Sequence, residues 1–226
     1  MSGQNFPSAP ARRSFLARFG AAATVVGAVF GAGGAAAQSP SPSPSSGRWQ
    51  PGRHAEDDWF DALPGQHRMF FDTISLDGVR DGLLFANNFF TGNRNGYGLE
   101  NGDLAVVVSF RHRGTAFAFS DAMWAKYGVS FAECTGYKDP AGGQVPAANP
   151  FMLSLDGLIK RGVHFSVCSL ATRALATMGA QKTGAKIDDV FQELSANTIS
   201  NGRMVPAGIV AINRAQERGY SITHVG

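Results

Sequence analysis

The run Leu104-Ala-Val-Val-Val-Ser-Phe110 limits the fold more than any other stretch of the chain. An uncharged, β-branched segment without alternation of apolar and polar positions is what a strand covered on both faces requires. Such strands belong to parallel sheets, and parallel neighbours need helical crossovers between them. The flanking sequence supplies those crossovers. Arg68 to Ile74 is a short apolar run of strand type, Asp77 to Phe90 places Val79, Leu83, Leu84 and Phe90 at helical spacing, and the Gly- and Asn-rich Thr91 to Gly102 is expected to be loop. Phe119 to Tyr127 reads as a helix stopped by Gly128, Phe151 to Lys160 as a helix closed by Gly162, and Val163 to Val167 as the next strand. Helices follow over Ser169 to Met178 and Ile187 to Leu194. Then come Arg203-Met-Val-Pro, a helix from Ala207 to Arg218 stopped by Gly219, and a terminal strand Tyr220 to Val225. Strands alternating with helices predict an α/β fold, a three-layer α/β/α sandwich with a mainly parallel sheet.

The N-terminal part has a different character. Its first 37 residues carry only three charges, Arg12, Arg13 and Arg18, and Phe19 to Ala37 is an uncharged stretch of mostly Ala, Gly and Val ending in Ala35-Ala36-Ala37. These are the three parts of an export signal. The core Arg12-Arg13-Ser-Phe-Leu16 resembles the twin-arginine (Tat) motif, with Ala11 and Ala17 where that motif more often has Ser and Lys. The resemblance implies export to the periplasm. The alternative is an uncleaved leader that anchors the chain in a membrane, although its glycines and weakly apolar alanines make a poor spanning helix. Gln38 to Gly47 alternates Pro and Ser as an extended tether does, and the segment to Gly65 reads as an irregular arm packed by Trp49, Trp59 and Phe60. The organisation is therefore 1–37 leader, 38–65 tether and arm, and 66–226 folded domain.

This division decides how the charge is read. The formal net charge is +3, and the three leader arginines account for all of it: without them 17 basic residues face 17 acidic ones. A balanced domain gives no reason to expect nucleic acid or an anionic membrane as partner, and with the leader removed nothing else holds the chain in a membrane. No cofactor is indicated, since no Gly-x-Gly-x-x-Gly follows a strand and no phosphate-binding Gly-x-x-x-x-Gly-Lys occurs. No metal is indicated either: His54, His67, His112, His164 and His224 are scattered, and there is no Cys-x-x-Cys.

Chemistry in a parallel sheet collects at the carboxyl ends of the strands. Cys168 falls at the junction of a strand with the helix it feeds, where the helix start favours a thiolate; an inert buried cysteine is the alternative. Arg111-His112-Arg113 directly follows the strand 104–110, so two guanidinium groups and an imidazole could hold a sulfur oxyanion or a carboxylate, or simply form a solvated loop. Asn88 and Trp124 are further candidates for lining the same cleft, against ordinary packing or capping roles. Cys134 is the candidate disulfide partner of Cys168, a pairing that spacing does not settle.

The segment Gly162-Val-His-Phe-Ser-Val-Cys168-Ser-Leu-Ala-Thr172, with Val205-Pro-Ala-Gly-Ile-Val210 and Gln216-Glu-Arg-Gly-Tyr220 after it, resembles the DsrE-like family of small sulfur-relay proteins from about Phe70 to the C-terminus. The resemblance implies a compact flavodoxin- or Rossmann-like α/β/α sandwich that assembles into homo-oligomers, and it matches Cys168 with a persulfide-carrying cysteine. A small sulfur-containing anion or the thiol of another protein would then be the partner. The departure is the leader, since the well-known relay members are cytoplasmic. Two functions follow as expectations: a sulfur carrier acting through Cys168, or a non-catalytic periplasmic binding or assembly protein in which both cysteines are structural.

Overall fold

A computed structural model describes residues 49–140, 142 and 145–226, so the export leader and the Pro/Ser tether lie outside the described residues. Five strands, β1 (His67–Thr73), β2 (Leu104–Phe110), β3 (His164–Cys168), β4 (Gly202–Val205) and β5 (Ser221–Val225), form one sheet in the order β4-β3-β2-β1-β5. Every pairing is parallel. The continuous run Leu104 to Phe110 is the central strand, with all seven residues buried. The fold is the three-layer α/β arrangement that the alternation of strand and helix signals predicts.

Helices cover the two faces unequally. On the front face lie α2 (Leu76–Tyr97), α3 (Asp121–Thr135), α4 (Met152–Lys160), α5 (Ser169–Thr183) and α6 (Ile187–Ala196). They pack Val79, Phe90, Trp124, Leu155, Leu175 and Val190, among others, on Phe71, Val106, Val108, Phe110, Phe165 and Val167 of the strands. The back face carries α1 (Trp59–Ala62) and α7 (Gly208–Gln216), whose Phe60, Ala211 and Ala215 meet Phe70, Ala105, Val107 and Val205. Two of the three aromatics expected to pack the arm do so: Trp59 stacks on Phe60, and the hydroxyl of Tyr220 donates to the Phe60 carbonyl oxygen at 2.8 Å, whereas Trp49 is exposed and the arm includes the short helix α1.

The division follows from chain direction. From β1 to β4 the chain steps one way across the sheet, with its crossovers in front. It then returns from β4 to β5, at the opposite edge, and crossovers of constant hand put α7 behind. Adjacent strands β3 and β4 therefore send their following helices to opposite faces. Such a switch opens a crevice at the carboxyl ends of the two strands.

Three local expectations are corrected. Thr91 to Gly102 is not loop at first: α2 continues to Tyr97, with the Thr91 hydroxyl donating to the Asn87 carbonyl and the Asn93 amide to the Phe89 carbonyl. Gly128 does not stop α3, which runs on to Thr135. A Cβ at Gly128 would press on Val145 and the Pro146 carbonyl at 3.0 and 3.1 Å, so this glycine serves close packing rather than termination. Gly202 to Val205, to which the sequence assigns no element, is an edge strand.

Candidate functional site

The strand register assembles a polar row on the back face. His224 on β5 pairs with Asp72 on β1, Asp72 with Ser109 on β2, Ser109 with Ser166 on β3, and Ser166 with Arg203 on β4. In-register partners of parallel strands point to the same side, so one polar residue from each strand lies in a line under α1 and α7. Immediately beyond this row, at the carboxyl edge, come Arg111, Cys168 and its register partner Val205.

Asp72 is the electrostatic centre. Its side chain is 4% exposed, and its Oδ1 accepts from Arg111 Nε at 2.6 Å and its Oδ2 from the second guanidinium nitrogen at 2.8 Å, while His224 Nδ1 lies 2.7 Å from the same Oδ2. Burial alone would push the Asp72 carboxyl upward, but the hydrogen bonds and charges of Arg111 and His224 outweigh it and hold the group below the ordinary carboxylate range. Reciprocally, the hydrogen bond to Asp72 outweighs the burial of Arg111 and holds its guanidinium more firmly charged; the thiolate form of Cys168 adds a smaller contribution of the same sign. Phe110 pairs with Val167, so the residues that follow them, Arg111 and Cys168, come next to each other at the carboxyl edge of β2 and β3. The stem of Arg111 runs under the start of α7, where a Cβ on Gly208 would lie 2.5 Å from the Cβ of Arg111. Only a residue without a side chain fits there, which accounts for the glycine that opens α7.

Cys168 is a free thiol, 7% exposed, at the last position of β3 and the cap of α5. Cys134 is free as well. It packs on the front core from α3, whereas the alternation of β3 sends Phe165 and Val167 forward and Ser166 and Cys168 back. The two thiols therefore stand on opposite sides of the sheet, unbridged. Burial pushes the Cys134 thiol up, against a smaller opposing pull from Arg113.

Of the residues singled out from sequence, the structure brings together Cys168 and Arg111. His112 takes the left-handed backbone region at φ 54° directly after Arg111, whose guanidinium turns to Asp72. His112 and Arg113 themselves are exposed. Asn88 is exposed on α2, and its neighbour Asn87 meets Arg161, which precedes β3, so this part of α2 lies towards the amino edge of the sheet. Trp124 is buried in the front core, its indole N–H donating to the Ala116 carbonyl oxygen at 3.1 Å. Neither lines the crevice. Sequence reasoning missed Asp72 and His224. The available signal was an acid inside the apolar run Met69-Phe-Phe-Asp-Thr-Ile74, because a buried carboxylate needs a cationic partner.

Beside Cys168 the crevice opens into a groove of about 340 Å³, bounded by Ser169 at the start of α5, by Arg203, Val205 and Pro206, and by Glu56 and Asp57 of the arm. Among the described residues no three His, Cys, Asp or Glu side chains are grouped as a metal ion needs, and no helix is long and apolar enough to cross a membrane. No family model matches the chain, and no curated protein matches it.

Proposed function

We propose that this chain is an exported DsrE-like protein that carries sulfane sulfur on Cys168. One observation carries the reading: a free, partly shielded thiol at the topological switch point, with the charged Arg111 held beside it by Asp72. The guanidinium at this edge gives an anionic sulfur donor a cationic neighbour as it meets the thiol at the cap of α5. The step is a thiolate exchange. Cys168 Sγ attacks the outer sulfur of a persulfide or polysulfide, the donor's S–S bond breaks, and the donor leaves as a thiolate while the new S–S bond forms on Cys168. One S–S bond replaces another, so no external oxidant or reductant is consumed. Arg111 neutralises the anionic donor as it approaches and the terminal persulfide anion that remains. The leader 1–37, with its Arg12-Arg13 pair, fits twin-arginine export and a periplasmic location, and assembly into homo-oligomers belongs to the same reading.

Mass spectrometry of the native protein after polysulfide treatment tests this. The expected result is a gain of about 32 Da on the peptide containing Cys168, absent in Cys168→Ser. An unmodified Cys168 beside a modified control thiol would overturn the reading.

A further inference from the structure

The groove beside Cys168 holds two opposite charges that the protein leaves unanswered. Asp57 is committed to Arg214 Nε at 3.4 Å. Glu56, on the same turn, makes no ion pair among the described residues, and neither does Arg203. The Arg203 guanidinium lies 5.8 Å from the Trp59 ring centroid and gives one N–H to the backbone carbonyl of Glu56 at 3.5 Å, which leaves most of its five donors free.

Size and charge together define what fits. At about 340 Å³ the groove is at the small end of ligand pockets, which run to roughly 300–1,000 Å³. A planar guanidinium matches a carboxylate in a bidentate fork, and a lone carboxylate in the same groove matches an ammonium. The free α-amino acid head carries both groups on one carbon. Its side chain would then extend towards Ser169 and the adjoining Cys168. We infer that this groove is the recognition pocket for a zwitterionic amino-acid thiol of about the size of cysteine, with the carboxylate on Arg203, the ammonium on Glu56 and the sulfur presented to Cys168. The assignment rests on the sulfur-carrier reading for the identity of the side chain, but not for the head group.

The probe is S-methyl-L-cysteine, which has the head group and a thioether that cannot exchange, titrated calorimetrically into the full chain. It is expected to bind at least tenfold more tightly than 3-(methylthio)propionate, which lacks the ammonium, or 2-(methylthio)ethylamine, which lacks the carboxylate. Arg203→Gln and Glu56→Gln should each weaken it at least tenfold while circular dichroism stays unchanged, and bound probe should slow iodoacetamide alkylation of Cys168. The inference is overturned by no binding at millimolar probe, by equal binding of the three compounds, or by variants within twofold of the parent. Failure is distinguishable from failure of the carrier reading. Protein that binds the probe through Arg203 and Glu56 yet takes no sulfur from polysulfide keeps the pocket and loses the carrier; protein that takes sulfur without binding the probe does the reverse.

Discussion

The two faces of the sheet are built from the same strands and do different work. In front, every position of β2 and β3 facing the helices is apolar, and rings pack directly, Phe110 on Phe165 with centroids 5.5 Å apart. Behind, the next residue along each strand belongs to the row from His224 to Arg203. A strand alternates its sides with a period of two, so one seven-residue segment such as β2 contributes Val108 and Phe110 to stability and Ser109 to the polar row. The difference teaches where variation is tolerated: a change in front is felt as lost packing, and a change in the charged residues of the row behind is felt as altered charge at the crevice.

Substitutions that separate the faces should rank accordingly. The largest effect is expected in front. Phe165→Ala removes a fully buried ring and should cost about 3–5 kcal/mol in urea unfolding. A loss below about 1 kcal/mol would mean the front face is not the stabilising one.

Behind, Asp72→Asn should cost about 2 kcal/mol at pH 7, the worth of hydrogen bonds to charged groups in a partly exposed pair. Its pH dependence identifies the cause. The Asp72 carboxyl is lowered by folding, so its contribution is fully present above the ordinary value near 3.8 and is lost as pH falls through the lower folded value. Parent and variant should therefore converge in stability below about pH 4, and a gap that persists in acid would point to packing instead.

The smallest effect has the opposite sign. Ser109 carries a fully buried hydroxyl with no partner, and Ser109→Ala should stabilise the protein by about 1 kcal/mol, read from the same urea midpoints. Loss of stability would show that the polar row is satisfied by bound water.

The contrast also explains what was legible in the sequence. Local, strongly patterned elements were: Leu104 to Phe110 is a strand over the residues its β-branched run predicts, and the terminal strand lies within the expected Tyr220 to Val225. Elements whose identity comes from neighbours were not. β4 is four residues long, places exposed Arg203 beside Ser166, and shows no apolar run of its own. Gly128 resembles a stop in sequence and is a packing contact in space, while the real cap is Gly136, at φ 73°. At the site, Cys168 and Arg111 could be found because each follows a recognisable strand. Asp72 and His224 are 152 residues apart, and only the pairing of β1 with β5 brings them together. Asn88 and Trp124 failed as site residues because helix phase, which residue type does not report, turns one outward to solvent and the other into the front core.

The return path of α7 sets an order of assembly. β5 pairs only with β1, at the edge opposite β4, and the segment 206–226 supplies both the helix over Arg111 and the imidazole on Asp72. A nascent chain that has emerged as far as Val205 already owns four of the five strands and all the front helices, but its Asp72 and Arg111 still face water. The polar row is thus completed only once the segment 206–226 has packed, and a chain cut before it leaves Asp72 without His224 and Arg111 without the cover of α7.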